Sequence, residues 1–146
     1  MFKFLMLFFL IGFIVNPSTS PNPDRICGKW ISSEKNLVVQ VYKDGEIFRA
    51  RIVWFKNEDN SKHMEEWTDK HNPDPSLRSR KLIGMSILRD MDYIPKSNTW
   101  ENGKIYDAKS GREWSASAYI NNEGLLKVTG YWHFKFIGRT MTFTKL

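Results

Sequence analysis

The sequence predicts an all-β fold, an antiparallel meander of about eight strands closed into a barrel. Along most of the chain after residue 26, apolar residues recur at every second position, which is the period of a strand with one buried face. Short turns such as Asp44-Gly45 and Asn121–Gly124 separate the runs, as hairpins require. A meander exposes two edges unless it closes on itself, so we expect a barrel.

Residues 1–20 are typical of a secretory signal peptide that precedes this domain. Lys3 is followed by the apolar run Phe4–Val15 and then by the polar segment Asn16–Ser20, the charged, apolar and polar order of an export signal. The run is shorter than the roughly 20 residues that cross a bilayer. We therefore expect cleavage near residue 20, an exported protein (periplasmic or secreted) without a transmembrane segment, and one domain over 26–146.

The composition limits the class of protein and its partners. The chain holds 6 Trp and 5 Tyr, which excludes a disordered, collagen-like or coiled-coil protein. Cys27 is the single cysteine, so no internal disulfide can form. The net charge is +6, but the basic residues alternate along strands instead of clustering. We therefore expect no nucleic acid partner and a solvated basic face instead.

The first hairpin joins the run Leu37–Tyr42 to a strand that follows Glu46, through a turn containing Asp44-Gly45. Alternation divides the second strand into two faces. The face expected to point inward carries Phe48, Ala50, Ile52 and Trp54. The opposite face carries Ile47, Arg49, Arg51 and Val53.

A long polar segment interrupts the meander. Lys56–Asn72 shows no apolar period, and Asp74-Pro75 has the residue types that begin a helix. We predict a short helix over about 75–81 and an extended segment over Leu82–Leu88. Long loops in compact domains are usually functional or mobile, so this loop is a candidate lid.

Two arginines in this loop have opposite predicted tasks. Arg78 and Arg80 diverge by about 200° on a helix, so they cannot reach one point. One is expected to tie the loop to the barrel through Asp74 or Asp107, since guanidinium groups bind carboxylates bidentately. The other would face the barrel mouth and hold the polar end of a ligand. Alternatively, both arginines anchor the loop.

The C-terminal third resumes the alternation in three strands. The first has Trp114, Ala116, Ala118 and Ile120 on one face. The second has Leu126, Val128, Gly130 and Trp132 on one face. The last run, 138–146, alternates Arg139, Met141 and Phe143 with threonines. Arg139 shares the parity of Phe143, so we expect it to point inward.

The segment Gly28-Lys29-Trp30 resembles the opening motif of lipocalin-like barrels. The resemblance implies that Trp30 plugs the closed end and that an arginine from a late strand packs across its ring. Arg139 is the candidate, and a guanidinium on an indole is physically reasonable. We expect a structural role for five residues: Gly28, Trp30, Arg139, Asn72 and Asp74.

A wider pattern resembles a secreted bacterial family known as domain of unknown function 2147. The matching segments are Gly28–Trp30, Asn72–Pro75, Leu77–Gly84, Gly103–Asp107, Ser110-Gly111, Leu126–Tyr131 and Gly138–Thr140. The chain departs from the family at Ala108 and Phe143, where Pro and Trp are frequent. The resemblance implies a lipocalin-like barrel that binds a small apolar or amphipathic ligand, and it carries over no catalytic residue.

No motif predicts an enzyme or a cofactor. The sequence lacks H-E-x-x-H, G-x-S-x-G and the glycine-rich nucleotide loops. His63, Glu66, Asp69 and His71 share one polar loop, but their spacing matches no metal site. We expect solvated side chains there, no metal and no cofactor.

Two functions from different classes stay open. The first is a ligand-binding barrel, in which small residues beside indoles leave a cavity. Its candidate ligand-binding residues are Trp54, Tyr106, Trp114, Trp132, Arg78 and Arg80. The second is an envelope-associated structural or interaction protein whose barrel is filled by its own side chains and which uses its outer face and residues 56–81 to hold a partner.

Overall fold

A computed structural model describes residues 21–146, so the predicted signal peptide lies outside the described residues. Eight antiparallel strands pair in sequence order, and β8 pairs with β1 to close a barrel. The strands are β1 Gly28–Ser32, β2 Leu37–Asp44, β3 Ile47–Phe55, β4 Ser86–Ile94, β5 Thr99–Asp107, β6 Arg112–Ile120, β7 Leu126–Tyr131 and β8 Arg139–Lys145. The predicted all-β, closed antiparallel meander is confirmed.

The up-and-down order gives the barrel two different ends. What we call the closed end carries the hairpin turns β2–β3, β4–β5 and β6–β7, the start of β1 and the last residues of β8. The open end carries the β1–β2 and β5–β6 turns, the long loop 56–85 and the β7–β8 loop 132–138. Every long connection therefore lies at the open end.

The core concentrates toward the closed end. Its most completely buried large side chains are Ile26, Trp30, Phe48, Met91, Trp100 and Leu126. A 3-10 turn over Pro23–Ile26 precedes β1, and the Trp30 indole N–H donates to the Ile26 carbonyl at 2.8 Å. Burying these rings away from water supplies most of the stabilisation expected at this end.

The long loop differs from its prediction. The short helix predicted over about 75–81 begins where expected, with Asp74 as its cap accepting from the Ser76 N–H at 2.9 Å, but it is a 3-10 helix of three residues, Pro75–Leu77. The predicted strand or extended segment Leu82–Leu88 is strand only from Ser86, where β4 begins. Just before it, Lys81 pairs with Thr68 and the Leu82 N–H donates to the Trp67 carbonyl, so this part of the chain belongs to the loop.

Strands β4 and β5 are distorted at facing positions. Asp90 and Asn102 both have φ of 61°, a conformation that Asp and Asn tolerate better than most residues. A Cβ added to Gly103 would lie 1.9 Å from the Met91 sulfur, so only glycine leaves room for the buried Met91 side chain. These bulges interrupt the alternation on which the sequence prediction depends.

Candidate functional site

Two of the predicted indoles meet at the open end. Trp114 is half-buried near the start of β6, and Trp132 follows β7 directly with 61% of its surface exposed. Their rings lie edge to face, with centroids 5.8 Å apart and planes at 78°, a favourable aromatic geometry. Both share the parity of the inward-facing Gly130 and Ala116 pair. The alternation therefore placed these two side chains together correctly.

Trp54 does not lie with the other two indoles. It is the second-last residue of β3 and pairs with Val38, and a register shift separates this pair from the pair of Val39 with Ile52. Val38 alternates with the core residue Val39, so Trp54 lies on the outer face of the barrel, and its predicted inward position is wrong. In the closed ring β3 and β7 are four strands apart, so Trp54 is also on the far side of the barrel from Trp132. The indoles therefore do not form one continuous wall.

Tyr106 does not face the interior. Its neighbour Ile105 packs against the core, which leaves Tyr106 on the outer side of β5. The Tyr106 hydroxyl donates to Asp69 Oδ1 at 2.6 Å. Burial and this bond to a carboxylate raise the pKa of Tyr106 to about 12. Tyr106 fastens the long loop instead of touching a ligand in the barrel.

Asp69 is the centre of a four-residue cluster, which we call the Asp69 clamp. The buried carboxylate also accepts from Asn72 Nδ2 and from Arg80 Nη2, both at 2.8 Å. Burial on its own raises the pKa of Asp69, but the bonds from Tyr106, Asn72 and Arg80 outweigh it and leave the pKa below its ordinary value. The clamp holds the long loop to β5.

Sequence reasoning missed this role of Asp69, which we expected to be solvated. The available signal was Trp67, two positions earlier, an apolar residue inside a polar segment. Trp67 is half-buried and packs edge to face on Phe55 with ring centroids 6.4 Å apart. It draws the loop against the end of β3, and Asp69 is buried with it.

Both loop arginines are anchors. Arg80 binds Asp69 instead of the predicted Asp74 or Asp107, and Arg78 Nε donates to the Asn72 carbonyl at 2.8 Å. Asp74 and Asp107 are unavailable because their oxygens cap their own turns. The prediction that one arginine faces the barrel mouth is therefore wrong in this arrangement.

The predicted contact between Arg139 and Trp30 is also wrong. The cation over the Trp30 ring is Lys145 Nζ, 5.3 Å from the centroid, and Gly28 lets the lysine stem pass close by. Arg139 and Lys145 share a face of β8 but lie at its opposite ends, about 20 Å apart along the strand. Arg139 is exposed at the open end, opposite Gly130.

The barrel interior contains little free space. The void between the strands measures about 20 Å³ and is lined by apolar side chains, among them Val41, Leu88 and Val128. That is room for about one water molecule, whereas ligand pockets usually exceed about 300 Å³. Neighbouring side chains bury the small residues Ala50 and Ala116 completely, so these leave no cavity. A separate groove of about 360 Å³ lies at the closed end, next to Lys43, Phe48 and Tyr93.

Comparison with known proteins now agrees with this architecture. A family model for an uncharacterized protein conserved in bacteria (DUF2147) matches residues 28–145. The chain belongs to this family.

A solved structure shares the barrel of this DUF2147 protein. It is protein HP1028 from the human pathogen Helicobacter pylori, described as belonging to the lipocalin family. The two chains are 27% identical, with a TM-score of 0.70 over 83% of this chain and 82% of that one. No curated protein matches the sequence.

Within residues 21–146, no three His, Cys, Asp or Glu side chains lie close enough to hold a metal ion, and those of the polar loop are no exception. Glu66 instead accepts from the His63 backbone N–H at 2.5 Å, and Asp69 belongs to its clamp. In the same part of the chain, no helix has the length and apolar character that spanning a bilayer takes. What the open end offers chemically is a pair of indoles and, at the start of β8, the exposed Arg139.

Proposed function

We propose that this DUF2147 protein is exported and binds a small apolar or amphipathic ligand at the open end of its barrel. The Trp114–Trp132 pair carries the proposal, because it is a large aromatic surface left partly exposed on the inward-facing side of β6 and β7. Aromatic side chains with a few polar groups are typical of ligand sites.

The mouth suits the ligand better than the interior does. A void of about 20 Å³ does not admit a lipid-sized molecule. A ligand would instead lie against the two indoles and the strand ends above the packed core. The similarity to a protein described as a lipocalin supports a binding role for the barrel, since eight-stranded barrels of this kind hold single small ligands.

Arg139 makes an amphipathic ligand with an anionic head more suitable than a purely apolar one. Its Cα lies opposite that of Gly130, and a Cβ added to Gly130 would lie 3.7 Å from the Trp114 Cβ, so Arg139 begins β8 on the strand beside the indole pair. Within residues 21–146, Arg139 takes part in no salt bridge. A guanidinium can hold a carboxylate or phosphate through two parallel hydrogen bonds.

Binding of cis-parinaric acid, a fluorescent fatty acid, tests this site, with the matching alcohol as the neutral probe. We expect Trp114→Ala to weaken both probes about tenfold, because it removes half of the aromatic surface. Arg139→Gln should weaken the acid but not the alcohol. Tyr119→Ala, on the outer face of the same strand, is the matched control. Equal affinities in all four proteins would rule out the open end as the binding site.

Export is tested separately by sequencing the N-terminus of the protein recovered outside the cytoplasm. We expect the sequence to begin within a few residues of Pro21, because Lys3 and the apolar run after it have the order of an export signal. Recovery of soluble protein that still begins at Met1 would contradict export.

A second candidate function is an envelope-associated interaction protein without a ligand. The observation in its favour is the packed interior, whose void is only about 20 Å³. Native mass spectrometry of the protein purified from its own envelope separates the two functions. A retained lipid-like mass supports ligand binding, whereas a bare chain that also ignores both fluorescent probes supports the filled barrel.

A further inference from the structure

The loop that joins β7 to β8 presents a compact apolar surface to solvent. Its large side chains, which we call the apolar tip, are Trp132, Phe134, Phe136 and Ile137, exposed by 61%, 58%, 85% and 66%. The rings of Phe134 and Phe136 stack at 5.5 Å with planes at 19°. A contiguous patch of large, exposed apolar side chains often marks an interaction surface.

The base of the loop is held firmly against the barrel. A Cβ added to Gly138 would lie 2.7 Å from the Gly130 carbonyl oxygen, so the chain packs closely on β7 there. Lys135 Nζ donates to Glu101 Oε2 on β5 at 2.5 Å. The single lysine of the loop is thus turned toward the barrel and neutralised, which leaves the apolar side chains facing solvent.

The surroundings of the apolar tip favour an anionic partner. Arg139 follows the loop and Arg112 begins the neighbouring β6, and both are exposed. Neither arginine has a salt bridge to any of residues 21–146. Of the nearby carboxylates, Glu113 is paired with Arg89, and Asp107 keeps its charge but accepts hydrogen bonds within its own turn. Arg112 and Arg139 are therefore two cations without an ion-pair partner among the described residues, next to an apolar surface.

A second copy of the chain fits this edge poorly. A two-fold interface brings the same patch of both subunits together, which would gather Arg112 and Arg139 of both copies in one interface. Lipid headgroups supply what the patch lacks, because they offer negative charge above an apolar layer. Aromatic and aliphatic side chains next to arginines are what interfacial membrane binders present.

We propose that the apolar tip docks into the interface of an anionic bilayer, with Arg112 and Arg139 on the headgroups. This surface shares Trp132 and Arg139 with the proposed ligand site, whereas Phe134, Phe136, Ile137 and Arg112 belong to it alone. Docking therefore does not depend on the barrel holding a ligand. Docking would place the open end of the barrel at the membrane.

Quenching of Trp132 by vesicles with brominated acyl chains tests the contact directly. The vesicles contain phosphatidylcholine with about one third phosphatidylglycerol, or phosphatidylcholine alone. We expect quenching on the mixed vesicles that disappears in Trp132→Phe and weakens as salt is added. The full chain is used for the parent and every variant, so any binding by residues 1–20 is the same in each, and the difference between two proteins reports on the exchanged side chain.

The double variant Phe136→Ser/Ile137→Ser should bind the mixed vesicles about tenfold more weakly, since two exposed apolar side chains lose their burial in the interface. Leu77→Ser, another exposed apolar residue at the open end, should bind as the parent does. Unquenched Trp132 would overturn the proposal. So would equal quenching on neutral vesicles, or a dimer in solution that the double variant dissociates.

Discussion

The two ends of this barrel use the same residue type in opposite ways. At the closed end, Trp30 and Trp100 are buried completely, and Trp30 donates its indole N–H to a backbone carbonyl. At the open end, Trp132 is mostly exposed, and among the rings of residues 21–146 it contacts those of Trp114 and its neighbour His133. Burial at one end stabilises the closed sheet, whereas exposure at the other leaves aromatic surface available for binding.

The largest expected effect is the difference between one substitution made at each end. Trp30→Ala should lower the free energy of unfolding by about 3–5 kcal/mol, because it leaves a cavity and an unpaired Ile26 carbonyl. Trp132→Ala should change it by less than about 0.5 kcal/mol, as exposed positions do. Urea unfolding followed by circular dichroism measures both. Similar losses in the two variants would show that the open end is as well packed as the closed one.

The Asp69 clamp is the exception at the open end, and removing its charge should have the next largest effect. Asp69→Asn weakens the bonds from Arg80, Tyr106 and Asn72, at an expected cost of about 2 kcal/mol. Limited proteolysis should then cleave the long loop faster than in the parent. Asp74→Asn keeps a capping side chain and is the control. Unchanged cleavage in Asp69→Asn would show that the loop is held by other contacts.

The clamp also predicts how stability depends on pH. The pKa of Asp69 in the folded protein lies below its ordinary value of 3.8. Its contribution is therefore complete above that value and is lost as the pH falls through the folded pKa. The pKa of Tyr106 is raised from 10.0 to about 12, so its contribution is lost as the pH rises through about 12.

Unfolding of the parent and of Asp69→Asn across this range checks the prediction. The stability difference between them should be constant near neutrality and shrink in acid. A difference that persists at a pH well below 3.8 would mean that the clamp is not held by an ionised Asp69.

The smallest expected effect is the difference in stability between substitutions of the two cationic residues of β8, Lys145 and Arg139. Lys145→Ala removes a cation from the Trp30 ring and a bond to the Arg25 carbonyl, at an expected cost of about 1 kcal/mol. Arg139→Ala should be neutral within about 0.5 kcal/mol because it is exposed. Thermal melts of the pair measure the difference. A larger loss for Arg139→Ala would restore the contact that the lipocalin-like motif implied.

The alternation of apolar residues and the turn residues predicted the β2–β3 hairpin and the strands β6, β7 and β8 well. The β2–β3 hairpin forms around Asp44-Gly45, with φ of 64° at the glycine, and β6, β7 and β8 begin and end close to their predicted positions. These elements depend on alternation and on turn residues, which are properties of neighbours in sequence. The parity of Trp114 and Trp132 was predicted for the same reason.

Only the tertiary structure decided where each strand stops and what its ends meet. The facing distortions at Asp90 and Asn102 leave the β4–β5 register unchanged but shift β4 against β3 and β5 against β6, and no sequence signal places them. Parity put Arg139 on the correct face of β8, but the stagger of the closed barrel sets it at the end away from Trp30. Asp69 is buried because Tyr106, 37 positions further along, comes to meet it. Alternation specifies which face a side chain joins, and strand pairing at a distance specifies its partners.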